Sequence, residues 1–182
     1  LNFSKYTFRK NPISTAKPYG IIFLNETKGD IAVNLVLKEV TSENWEECIE
    51  LQPREDQKQF IASNVYSLAQ SKFLPNFETL AVYKDERMVG FVMFGIDPDD
   101  SQYWIYRLMI DSRHQGKGYG METMKQVIAR IKAKPDTTDI MVAYHPDNQG
   151  AATLYEKLGF KVLGKAPWGE IMARLSKDDE AN

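Results

Sequence analysis

The order of apolar patterns along the chain predicts a single α/β domain built on a mixed sheet. Three observations carry that prediction. Runs rich in Val, Phe and Tyr recur at strand length, stripes of helical period fall between some of them, and tight turns join others. The succession reads strand, helix, helix, three strands, helix, strand, helix, two strands, which mixes helical crossovers with hairpins. A chain of 182 residues suits one domain and can bury a real core.

Residues 1–32 carry scattered Pro, Gly, Asn and Lys with no sustained period. They are expected outside the fold, either as a flexible arm or as a leader upstream of a natural start near Val33. The domain is expected over 33–176, followed by a charged, fraying tail at 177–182. A first strand is expected at 35–40, where apolar and polar residues alternate. Thr41 or Ser42 then offers an N-cap for a helix through Trp45, Ile49 and Leu51, which Pro53 stops. A second helix is expected from Gln57 or Lys58 to about Ser71, with Phe60, Ile61, Val65 and Leu68 on one side. Runs 79–84 and 88–96 form a hairpin around Lys84, Asp85, Glu86 and Arg87. The run Tyr103–Ile110 is apolar along most of its length and should be a central strand. Gly118 or Tyr119 opens a long helix to about Ala133, with Met124, Val127, Ile128 and Ile131 at helical spacing. A fifth strand follows at 139–144. A helix then starts at Asn148 or Gln149 and ends on Gly159, a C-cap residue. Strands at 160–164 and 170–175 close the domain around Pro167, Trp168 and Gly169.

Composition removes several functions. The net charge is −2 and the pI about 5.8, so the basic stripe that nucleic-acid binding needs is not expected. Cys48 is the one cysteine and His114 and His145 the two histidines, which makes an intrachain disulfide impossible and a zinc or other metal site unexpected. No stretch is long and apolar enough to span a bilayer or serve as a secretory signal, and a cytoplasmic setting is expected.

The chemistry concentrates in Gln115, Gly116, Lys117, Gly118, Tyr119 and Gly120, between the fourth strand and the long helix. Glycines at 116, 118 and 120 let backbone approach a ligand closely. The following helix presents unpaired N–H groups and the positive end of its dipole, which together suit a phosphate. Arg113 and Lys117 add positive charge. A Walker A loop would need Gly-Lys-Ser/Thr, but Met121 and Glu122 follow Gly120; a Rossmann fingerprint has different spacing and follows the first strand. A glycine-rich connection without a ligand is the plain alternative.

Gln115-x-x-Gly118-x-Gly120 resembles the Q/R-x-x-G-x-G/A motif of the GNAT acetyltransferase superfamily. Asn148-x-x-Ala151-x-x-Leu154-Tyr155, followed by Leu158, Gly159 and Phe160, resembles its second signature, in the right order and at a suitable distance. Softer features are similar to bacterial spermine/spermidine acetyltransferases: Arg107-x-x-Ile110-Asp111, residues Gln57 to Ile61, Gly90-Phe91, Gly169-Glu170 and Met172. The resemblance implies a twisted, mostly antiparallel mixed sheet of six to seven strands, with a splayed parallel pair of fourth and fifth strands and about four helices. It implies acetyl-CoA as cosubstrate and no metal. Leu108, Met109 and Ile110 would pair with the pantetheine arm, residues 115–120 would hold the pyrophosphate, and Asn148 and Ala151 would line the cofactor chain. Tyr155 would be the general acid. A homodimer is compatible with the family.

The implied reaction is attack of a primary amine on a thioester. At pH 7, drawing the neutral form from an amine of pKa about 10.4 costs about 4.6 kcal/mol, so the site must accept a proton. Related polyamine enzymes carry a carboxylate where Tyr106 stands. A tyrosine there is a poor base, so water-mediated proton removal, through Glu78 or strand carbonyls, is expected, with Tyr106 lining the amine pocket. Glu55 and Asp56 are candidates to pair the substrate's ammonium groups, as are Asp97, Asp99 and Asp100. Other acceptors on the same chemistry are a protein N-terminus, an amino acid or an aminoglycoside. A non-catalytic acyl-CoA-binding protein is the alternative outside enzymes. His145 and Cys48 read as incidental and packing residues.

Overall fold

The computed structural model describes residues 33–178; the expected arm at 1–32 and the last four tail residues lie outside these. Strands β1 (Val36–Glu39), β2 (Phe77–Lys84), β3 (Arg87–Ile96), β4 (Tyr103–Ile110), β5 (Ile140–Tyr144), β6 (Lys161–Lys165) and β7 (Ile171–Leu175) form one sheet in the order β1-β2-β3-β4-β5-β7-β6. All neighbours are antiparallel except β4 and β5. The helices are α1 (Trp45–Glu50), α2 (Asn64–Ser71), α3 (Tyr119–Lys132) and α4 (Gln149–Lys157). The expected mixed sheet and element order are therefore present.

Local chemistry explains the connections. The β2–β3 hairpin closes on Lys84 opposite Arg87, with Asp85 at a φ of 56°, a conformation an aspartate tolerates. The β4–β5 connection is the α3 crossover, which is what makes that pair parallel. Both sheet faces are covered. On β3, Val92 and Phe94 pack toward Met124, Val127, Ile128 and Ile131 of α3, whereas Phe91 and Met93 pack toward Cys48 and Leu51 at α1. Burial of each such side chain contributes about 1.5–3 kcal/mol.

Two expected helices differ. Thr41 and Ser42 do not cap α1. The Thr41 hydroxyl instead accepts from the Glu43 N–H and the Asn44 carboxamide accepts from the Thr41 N–H, so the capping groups build a preceding turn and α1 starts at Trp45. The second helix is interrupted. A 3-10 turn at Glu55–Gln57 is followed by non-helical chain, and α2 begins only at Asn64, because Ser63 takes the N-cap position and its hydroxyl accepts from the Tyr66 N–H. Phe60 and Ile61 are thereby freed from a helical stripe, and Val65 lies exposed.

The functional consequence of the topology sits between β4 and β5. They pair only at Tyr103 with Ile140 and Trp104 with Met141. Beyond that, β4 continues to Ile110 against β3 alone, and β5 continues against β7 alone. The strands part, and one edge of β4 is left with backbone donors and acceptors to satisfy.

Candidate active site

The opening between the strands is a cleft of about 330 Å³. Leu108, Met109 and Ile110 form its β4 wall, and Ala143 and Tyr144 its β5 wall. Gln115, Gly116, Gly118, Tyr119 and Gly120 close one end, and Asn148, Ala151, Leu154 and Tyr155 of the α4 region line the other side. Pro53, Gln57, Phe60 and Ile61, from the interrupted segment, cover it.

Gly116 and Gly118 have φ of 75° and 77°. A Cβ at Gly116 would meet nothing within 4 Å, and one at Gly118 only Val33 at 3.9 Å, so glycine is required there by backbone conformation and the space before the loop is open. Gly118 is also the N-cap of α3, with no side-chain cap. Among the described residues, the first-turn amides of α3 are thus not consumed by the protein's own side chains.

Braces hold this loop. The Gln115 amide donates to the Ile110 carbonyl at 2.8 Å and to Gln57 Oε1 at 2.7 Å. The Asp111 carboxylate accepts from the Gln52 and Arg113 N–H groups, each at 3.1 Å, and from Arg113 Nε at 2.7 Å. Burial works to raise the Asp111 pKa, but the Arg113 guanidinium and the two main-chain donors outweigh it and hold it below the ordinary carboxylate value. The charge of Arg113 is therefore paired with Asp111. Lys117 does not line the cleft; it lies on the outer side of the loop, beside His114 and the hairpin residues Lys84 and Arg87. Asn148 lines the cleft, but its side-chain oxygen caps α4 by accepting from the Ala151 N–H at 3.1 Å.

Tyr155 is buried between Tyr144 and Phe160, with ring centroids 5.5 Å away in each case. Burial, with lesser contributions from Tyr144 and the Glu170 carboxylate, pushes its pKa up to about 12. The hydroxyl thus keeps its proton near neutrality, which suits a donor.

A second cavity, of about 670 Å³, adjoins the cleft. Phe60, Ile61, Tyr106 and Ala143 line both. Its acidic lining is Asp97, Asp99 and Glu170, and Trp104 and Trp168 add aromatic wall. Asp97 is buried; its Oδ1 accepts from the Asp99 N–H at 2.8 Å and its Oδ2 from the Tyr106 hydroxyl. Glu170 accepts from the Trp168 indole at 2.9 Å. Arg107 is in the wall, with its guanidinium donating to the Tyr106 carbonyl at 2.7 Å and to Gln70 Oε1 at 3.1 Å. Burial lowers the Arg107 pKa below its ordinary value.

Four residues expected near the amine lie elsewhere. Glu55 and Asp56 are exposed on the 3-10 turn, paired with Lys58 at 2.7 Å and Arg54 at 3.0 Å. They line neither cavity. Glu78 sits on β2 in ion pairs with Arg130 at 2.7 Å and Lys134 at 2.6 Å, which engages both its oxygens away from the cleft. Asp100 accepts from the Trp104 indole and does not line the cavity. His145 stacks on Phe60 at 5.2 Å. Cys48 is buried, and burial pushes its thiol up to about 12, which makes it inert packing. Among the described residues no cluster could hold a metal ion, and no helix is long and apolar enough to cross a membrane. Glu170 enters the sequence reading only within the Gly169-Glu170 resemblance and not as a candidate site residue; the structure brings it into the second cavity.

Comparison with known proteins bears on this geometry. The chain is 27% identical over 139 residues to the spermine/spermidine N(1)-acetyltransferase of Bacillus subtilis, covering 73% of this chain and 91% of that protein. Among solved structures, an aminoglycoside acetyltransferase AAC(6')-Ib with coenzyme A aligns with a TM-score of 0.65 at 17% identity, over 79% of this chain and 95% of that one. The spermidine N-acetyltransferase of Vibrio cholerae, with CoA and spermine, aligns with a TM-score of 0.61 at 16% identity, over 77% and 92%. At these identities the structural matches establish the fold alone. The Acetyltransferase (GNAT) family model matches residues 37–160, a span that contains the parted strands, the glycine loop and the start of α4. On that match the chain belongs to the GNAT family and is an acetyltransferase.

Proposed function

We propose that the protein moves an acetyl group from acetyl-CoA to a primary amine of a polyamine or diamine of the spermidine/spermine type, by direct attack in a ternary complex. The observation that carries this reading is the acidic, aromatic-walled cavity that opens off the cleft at Tyr106. A polycation leaving water must recover its lost hydration, and Asp97, Asp99 and Glu170 line one space with the opposite charge. The similarity to a spermine/spermidine acetyltransferase of Bacillus subtilis supports the same acceptor.

In this reading the open amides of Gly116, Gly118 and the first turn of α3 take the diphosphate of the cosubstrate. The free edge of β4 at Leu108, Met109 and Ile110 pairs with the pantetheine amides, and Asn148 and Ala151 flank it. A β4 N–H near Met109 receives the negative charge that develops on the thioester oxygen. The nitrogen attacks the acetyl carbon, the carbon–sulfur bond breaks, and Tyr155 protonates the departing thiolate. The test is a panel of amines with acetyl-CoA, followed by thiol release. Turnover of spermidine or spermine ahead of peptides, amino acids and aminoglycosides supports the assignment; preference for any of the latter overturns it.

A further inference from the structure

We propose that Tyr106 and Asp97 work as one unit that removes a proton from the attacking nitrogen: Tyr106 touches the amine, and Asp97 acts through it. The inference rests on the acetyl-transfer reading above, but on no particular amine.

Tyr106 lines both cavities, so its ring stands where a donor thioester and an acceptor nitrogen would meet. The ring is fixed by Phe77, with centroids 4.5 Å apart, and by the edge of Trp104 at 6.4 Å. Its hydroxyl proton is committed to Asp97 Oδ2. The oxygen lone pairs are left to accept from a third group. Asp97 is only 8% exposed and has no cationic partner among the described residues. A buried carboxylate with no counter-charge is costly unless a ligand's charge or proton meets it. Its other oxygen is anchored by the Asp99 N–H, which aims the acid at the tyrosine.

The proton balance is direct. As the carbon–nitrogen bond forms, the nitrogen becomes cationic and much more acidic, so a carboxylate can accept its proton at that stage. The nitrogen's N–H proton passes to the Tyr106 oxygen while the Tyr106 hydroxyl proton passes to Asp97, which becomes neutral. The carbon–sulfur electron pair leaves with sulfur, which takes its proton from Tyr155. Asp97 then returns its proton through Tyr106 to solvent, and Tyr155 regains from solvent the proton it gave to sulfur, which restores both groups. Tyr106 itself is never a free phenolate, which agrees with a hydroxyl whose pKa is raised by burial and by hydrogen bonding to Asp97. The other charged or titratable groups facing the pair are Asp99 from the β3–β4 turn, Arg107 from β4 and Glu170 from the segment before β7; Tyr66 of α2 stands beyond Arg107.

The experiment uses the best acceptor of the wild-type amine panel, whatever its class, so a non-polyamine acceptor overturns the substrate assignment without touching this test. Asp97→Asn keeps an oxygen for Tyr106 to donate to but cannot take the proton; Tyr106→Phe breaks the path. Each is expected to lower kcat about 100-fold. Coenzyme A affinity should stay within about threefold in both variants, and the amine KM within about threefold in Tyr106→Phe, while Asp97→Asn, which also removes one of the cavity's charges, should raise a cationic amine's KM about as much as Glu170→Gln does; the kcat of the double variant should be no worse than that of either single, and Asp97→Glu should recover part of kcat. Retained coenzyme A affinity also reports that each variant is folded. A loss confined to KM, losses that multiply in the double variant, or wild-type kcat in Tyr106→Phe would overturn the proposal.

Discussion

The two cavities that meet at Tyr106 are built from different materials. The cleft is made of backbone: a strand edge released by the parting of β4 and β5, two left-handed glycines, and the uncapped start of α3. The adjoining cavity is made of side chains from the β3–β4 turn, β4, the segment around Phe60 and the turn before β7. A backbone site is set by where elements begin and end, so it tolerates exchange of most side chains except glycine. A side-chain site is set by loops brought together from distant parts of the sequence, so it can be retuned for a new acceptor without disturbing the first. In the proposed reaction the chemistry falls at their boundary, and that contrast can be broken in several places.

The largest effect is expected for Tyr155→Phe, which should lower kcat about 100-fold or more while leaving acetyl-CoA affinity unchanged, by steady-state kinetics and calorimetry. An unchanged kcat would remove Tyr155 from the chemistry. Next comes the brace beneath the backbone site. Asp111→Asn should destabilise the fold by about 2 kcal/mol at pH 7, through loss of charge-assisted hydrogen bonds. The folded pKa of Asp111 lies below its unfolded value, so its contribution is complete above the unfolded pKa and fades as pH falls through the folded one. Melting curves of wild type and variant should therefore differ at pH 7 and converge in acid below about pH 4; a constant gap would contradict the assignment.

Gly118→Ala should weaken coenzyme A binding about tenfold, because a Cβ at positive φ costs about 1–2 kcal/mol that the free loop sheds by relaxing and must repay to present its amides to the ligand. The amine KM should not move. The mirror experiment is Glu170→Gln, expected to raise the amine KM about fivefold with coenzyme A affinity intact, while Glu55→Gln and Asp56→Asn, on exposed ion pairs, leave both within about twofold. A variant in one cavity that shifts the constant of the other would undo the separation.

The same contrast governs what the sequence made legible. The glycine loop, the start of α3, the strand Tyr103–Ile110, the Asn148 cap and the Gly159 stop follow from local rules, and the structure has each of them. The acceptor region was harder. Glu55 and Asp56 read as linker residues ahead of a helix over 57–71; in the structure they stand in a 3-10 turn with their carboxylates paired on the surface, while Ser63 takes the N-cap and the residues between cover the cleft. Glu78 is taken up by partners no local pattern shows: Arg130 of α3 and Lys134 just past its end, more than fifty residues away. Glu170 gained its place from the Trp168 hydrogen bond and the antiparallel return of β7 between β5 and β6, neither of which a local pattern shows.

The claim beneath the whole account is that main-chain amides between the parted strands grip a nucleotide diphosphate. Calorimetric titration of coenzyme A against pantetheine, which lacks the diphosphate, tests it most directly. One coenzyme A per chain should bind at least about 100-fold more tightly than pantetheine, as expected when two or more hydrogen bonds to a charged group are lost. Equal affinity for the two, or no binding of coenzyme A at all, would contradict it.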